Sequence, residues 1–139
     1  MANSETEIRA VLDTTAILSH ARGRVHVGEL LVDIADEGAY VALPSVALLA
    51  AHADVIGDRA ARARLGLLCA LPAVHPLALD QSDAAEVATL VALADGDLGR
   101  AHAAWAALEY AAYFLTTEPD QAPPILTKDQ IHPIPPDNP

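Results

Sequence analysis

The chain has 139 residues, 53% hydrophobic but only 4% aromatic, so Ala, Leu and Val must build a core of ordinary single-domain size. Eight basic residues stand against 19 acidic ones, a net charge of −11, which speaks against a surface made to grip nucleic acid through many phosphates. No apolar run approaches the roughly 20 residues needed to cross a bilayer, residues 1–7 lack the regions of a secretory signal, and the single Cys69 has no internal partner, so the expected location is a reducing cytoplasm without membrane contact.

Residues 7–12 read as a first strand ending at Asp13, with a helical turn over 14–20. Val25, Val27, Leu30, Leu31 and Ile34 recur at helical spacing with acids on the other faces, and Gly38 is a natural stop. Tyr40 to Leu43 form a short apolar strand, after which Pro44 and Ser45 start a helix. Asp58 to Cys69 predict another, with Cys69 as a small core residue. Val74 to Leu79 read as a strand, and Asp80 or Ser82 can cap a helix running to about Ala94. Asp95-Gly96-Asp97 is a turn and a helix start, followed by an apolar stripe of Ala101, Ala104, Trp105, Leu108 and Ala112. Tyr113 to Thr116 are a strand, and five prolines between Pro123 and Pro136 predict an extended tail with one short edge strand near Ile131 to Ile134. Alternating strands and helices indicate an α/β sandwich with a mainly parallel sheet in a single domain over 1–139, its ends (1–6 and 136–139) flexible.

Three acids draw notice. Asp13 closes the first strand and Glu118 follows the last long one, while Asp97 begins the helix leading into that strand. Parallel strands bring their carboxyl ends to one sheet edge, where ligand sites gather. Asp13 either caps the next helix or holds a hard cation; converging carboxylates repel unless a cation neutralises them. Among the histidines, His102 is the one near these acids, and a buried structural role competes with that of a base.

Val11-Leu12-Asp13-Thr14-Thr15-Ala16, Leu43-Pro44-Ser45-Val46, Ala101-His102-Ala103-Ala104 and Leu115-Thr116-Thr117-Glu118, in this order over residues 8–135, resemble the PIN-domain family, the metal-dependent nucleases that include the VapC-type toxins. The resemblance implies a three-layer α/β/α sandwich, commonly homodimeric, that hydrolyses RNA with Mg²⁺ or Mn²⁺ and meets either an RNA substrate or a cognate antitoxin. It assigns Asp13, Asp97 and Glu118 as catalytic and metal-holding acids, with Asp54 a further candidate ligand and Thr14, Thr116 and Arg100 in support. Two departures stand out. The family's acid on the helix after Pro-Ser falls at Ala50, and its usual spacing back from Thr116 reaches Arg100 instead of Asp97, three residues earlier. Either Asp97 substitutes from one turn away, or Arg100 faces Asp13 and Glu118 as an internal counter-ion and silences the site. The functional expectations are accordingly a metal-dependent ribonuclease of toxin–antitoxin or RNA-turnover type, with weakened activity, or a non-catalytic PIN-like binding or regulatory module that has lost its metal.

Overall fold

In a computed structural model, which describes residues 7–136, the strands are β1 (Ile8–Leu12), β2 (Tyr40–Pro44), β3 (Val74–Leu77), β4 (Tyr113–Thr116) and β5 (Ile131–Pro133). They form one sheet in the order β3-β2-β1-β4-β5, every neighbouring pair parallel. Strands covered on both faces read as continuous apolar runs, and the central ones do: Val11, Leu12, Leu43 and Phe114 are all buried. Pro44 closes the inner strand β2 at its last residue, where the helix Ser45–Asp54 begins, and the other strand prolines fall at the sheet margins. Pro76 lies in β3 and Pro133 in β5, the two edge strands, where a missing amide need not break a ladder.

The helices are α1 (Thr14–Ala21), α2 (His26–Asp36), α3 (Ser45–Asp54), α4 (Arg59–Cys69), α5 (Gln81–Ala88) and α6 (Leu98–Tyr110). Alternate strand residues point to opposite faces. Ala10, Leu12, Val41, Leu43 and Leu115 pack with apolar residues of α1 to α4. Val11, Ala42 and Phe114 pack on the other face with Ala103, Ala104, Ala106 and Ala107 of α6. Val87, beside α5's end, joins Leu90 and Ala94 against Ala101 of α6. The result is the α/β/α sandwich, in which four alanines of α6 lie flat on the sheet and the partly buried Trp105 packs at their side.

Three local expectations change. The helix foreseen up to Ala94 ends at Ala88, then passes through a turn into a 3₁₀ turn at Ala92–Ala94. There the Thr89 hydroxyl donates to the Glu86 carbonyl at 2.6 Å, a local bond that competes with the helical ladder. The third strand stops at Leu77 instead of Leu79. Cys69 is exposed, because α4 buries Ala61, Leu65 and Leu68 and turns the next position outward. The expectations for residues 1–6 and 137–139 lie outside the described residues.

Candidate functional site

The chain lays down β1, β2 and β3 toward one side of the sheet, then returns to place β4 and β5 on the other. The strand order therefore reverses between β1 and β4, and the crevice outside their carboxyl ends is where open α/β sheets bind ligands. Asp13 directly follows β1, and Glu118 lies two residues past the end of β4. The Asp13 amide donates to the Leu115 carbonyl at 3.1 Å, carrying the ladder one step beyond β1 and fixing where the carboxylate stands.

Asp13 serves both roles that its position suggests, one oxygen for each. Oδ1 caps α1, accepting from the Ala16 amide at 2.9 Å and the Thr15 hydroxyl at 2.6 Å. Oδ2 is buried, has no hydrogen-bond partner, and faces the Arg100 Nε at 3.7 Å. Burial drives the Asp13 pKa upward; the Thr116 and Thr15 hydroxyls, the Ala16 amide and the Arg100 charge work in the opposite direction. Thr15 also accepts from the Thr117 amide at 2.9 Å and stands 3.2 Å from the Thr116 hydroxyl, which itself accepts from the Glu118 amide at 3.0 Å. The ends of β1 and β4 are thus laced together by two buried or half-buried threonines.

Arg100 sits among the acids. Its backbone amide donates to Asp97 Oδ1 at 2.9 Å, so Asp97 caps α6. Its guanidinium, with the side chain 8% exposed, places Nη2 at 2.6 Å from Glu118 Oε1, Nη1 at 3.5 Å from Asp97 Oδ2 and Nε toward Asp13. A glycine makes this approach possible. A Cβ on Gly99 would stand 2.5 Å from the Thr14 hydroxyl and 3.0 Å from the Ala47 Cα, so only glycine lets the first turn of α6 come so near α1 and α3.

Other sequence-nominated residues lie elsewhere. Asp54 pairs with Arg22 at 2.5 Å. Arg22 is the C-cap of α1, whose eight residues separate it from Asp13 by about 12 Å at helical rise. Thr14 does not orient Asp13: its hydroxyl points to the Ala47 carbonyl at 3.5 Å, and Thr15 holds the carboxylate instead. Position 50 supplies no acid, and His102 turns to a structural task. Fully buried, its Nδ1 accepts from the Val46 amide at 3.3 Å in the first turn of α3, where Pro44 offers no side-chain cap. Burial lowers its pKa, and the ring lies 6.0 Å from that of Trp105.

These residues do not fit a divalent cation as they stand. The space toward which Asp13, Asp97 and Glu118 converge is filled by a guanidinium, and among the described residues no three of His, Cys, Asp and Glu are gathered to hold a metal. Thr15 and Gly99 complete the site without having been singled out in the sequence. The Asp-Thr-Thr run offers two equivalent hydroxyls, and the need for glycine arises only from helices distant in the chain.

No family model matches the chain, and no curated protein matches it with significance. Solved structures do. A chain of VapBC2 from Rickettsia felis, crystallised bound to a DNA fragment from its promoter, superposes with a TM-score of 0.67 at 12% identity, over 91% of this chain and 98% of that one. PAE2754 from Pyrobaculum aerophilum superposes with a TM-score of 0.60 at 16% identity, over 90% and 83% of the two chains.

Proposed function

We propose that this chain, whose fold is PIN/VapC-like, works as a non-catalytic module that binds a protein partner of the antitoxin type. One observation carries the reading: the Arg100 guanidinium lies within 3.7 Å of a carboxylate oxygen of Asp13, Asp97 and Glu118. Metal-assisted hydrolysis needs a cation that activates water and offsets charge on the phosphate. A guanidinium has a fixed charge and no open coordination position, so it neutralises carboxylates without activating water. Ala50, where the family resemblance places another acid, removes a further oxygen donor from the set.

The surface suits a protein partner better than RNA. Net charge of −11 repels phosphates and favours a cationic segment. A trough of about 430 Å³, lined by Leu31, Val32, Ala35, Ala39, Leu71 and Pro72, offers that segment an apolar anchor. Glu29, Asp33 and Asp36 line the exposed side of α2 beside it.

Purified protein incubated with single-stranded and structured RNA, in Mn²⁺ or EDTA and beside Asp13→Ala, tests the reading. No metal-dependent difference between wild type and variant is expected. Cleavage that needs Mn²⁺ and disappears in Asp13→Ala would establish a ribonuclease instead.

A further inference from the structure

The guanidinium that occupies the acidic centre is incompletely bonded there. Nη2 makes one short bond to Glu118 Oε1 at 2.6 Å, whereas Nη1 stands 3.5 Å from Asp97 Oδ2 and Nε 3.7 Å from Asp13 Oδ2. Buried polar groups are nearly always hydrogen-bonded, yet Asp13 Oδ2 and Arg100 Nε are both buried without such a partner. Asp13 is fully buried and directed into the centre. Three carboxylates share one monovalent cation: Asp97 keeps Oδ1 for the α6 cap and presents Oδ2, while Glu118, 53% exposed, is held toward the centre by its bond to Arg100.

We propose that Arg100 is the resident cation of this centre, a lock whose removal turns Asp13, Asp97 and Glu118 into a divalent-cation site. The inference deepens the non-catalytic reading, and rests on it, by naming the residue that closes the site. Each carboxylate approaches a different nitrogen of the one guanidinium, so its departure leaves the three around a common space, into which the partly exposed Asp97 and Glu118 side chains must close for a cation to bind. A hard cation of the Mg²⁺ or Mn²⁺ class takes such donors and completes its shell with water. It also supplies the positive charge that buried Asp13 loses with the arginine. Gly99 preserves the space, since its missing side chain keeps the first turn of α6 seated against Thr14 and Ala47.

Mn²⁺ is the probe. Calorimetric titration and thermal melting are run on wild type, Arg100→Ala, Arg100→Gln and the double variant Arg100→Ala/Asp13→Asn. Wild type is expected to show no Asp13-dependent heat and an unmoved Tm. Both single variants are expected to bind one Mn²⁺ and to rise in Tm by about 5 °C at saturation, because binding to the folded state alone stabilises it. The double variant should do neither, since Asn keeps the cap but not the charge. Should the single variants fail to fold alone, refolding from urea with and without Mn²⁺ gives the readout, and recovery that requires Mn²⁺ supports the lock. Single variants that gain no Mn²⁺ dependence in either format overturn it, as does a wild type that binds Mn²⁺ as tightly as they do. Metal-dependent RNA cleavage by wild type is the failure of the functional reading, whereas unresponsive variants beside an inactive wild type are the failure of the lock alone.

Discussion

Strand β1 has an arginine gathered among acids at each end, and the two clusters differ in almost everything except composition. Near its start, Arg9 pairs with Glu7 at 2.7 Å and also with Glu37; the arginine side chain is 32% exposed and the acids 62% and 57%. Past its end, Arg100 meets Asp13, Asp97 and Glu118 with the arginine 8% and Asp13 1% exposed. Water screens the first cluster, and exposed pairs of this kind contribute little. In the second, Arg100 and Asp13 are withdrawn from water while Asp97 and Glu118 remain partly in it, so losing the arginine leaves the buried Asp13 charge uncompensated. The same residue types are therefore surface decoration at one end of a strand and a structural commitment at the other.

The largest break in this contrast is expected from Arg100→Ala. Leaving Asp13 buried without its cation should cost about 3–5 kcal/mol, read as a lowered urea midpoint, and adding Asp13→Asn should recover part of the loss. A recovery of zero would mean that the charge of Asp13 is already absent in the folded protein. Gly99→Ala comes next. Helix propensity alone would favour alanine by about 1 kcal/mol, whereas the contacts with Thr14 and Ala47 should make the change destabilising by about 1–3 kcal/mol. The sign in thermal melting decides between them.

A smaller effect separates the clusters by pH. Burial raises the Asp13 pKa above its ordinary 3.8, so the folded protein holds its proton more readily than the unfolded chain. That preference is fully present below pH 3.8 and is lost as pH rises through the raised value. Asp13→Asn should flatten the fall of stability over this window. His102 acts with the opposite sign: burial holds its pKa below 6.5, so its contribution is lost as pH falls from 6.5 through the folded value. A stability profile of His102→Asn lacking that acid-side loss checks it. The smallest effect is expected at Arg9: Arg9→Gln should leave the urea midpoint unchanged at physiological salt, where the wild-type pairs are screened. A clear drop would erase the distinction between the two ends of β1.

The architecture was largely readable before any coordinates, for a local reason. Apolar runs of four to six residues with helical periodicity between them report strands and helices through which faces they must bury, and the parallel α/β arrangement follows from their alternation. The end of α5 before Ala94 has a local cause too: the Glu86 carbonyl accepts from both the amide and the hydroxyl of Thr89, and the bonds that follow tighten to i→i+3. Asp13, Glu118 and the pair Asp97/Arg100 were also visible as a constellation, since strand ends and helix starts are positions that sequence patterns mark. The capping oxygens of Asp13 and Asp97 belong to this legible part, because a cap is satisfied within three residues.

What sequence left open is which charge enters the centre. Asp97 and Arg100 share nearly one face of α6, and periodicity gives either of them access. Only the packing of α6 against α1 and α3, made possible by the absence of a side chain at Gly99, turns the guanidinium inward and leaves the Asp97 carboxylate partly in solvent. Likewise, Thr14 and Thr15 are equivalent until α3 draws one toward Ala47 and the end of β4 claims the other. Short-range patterning determined the elements, their order and the acids at the sheet edge; contacts between segments 30 to 100 residues apart decided that an arginine is the cation those acids meet.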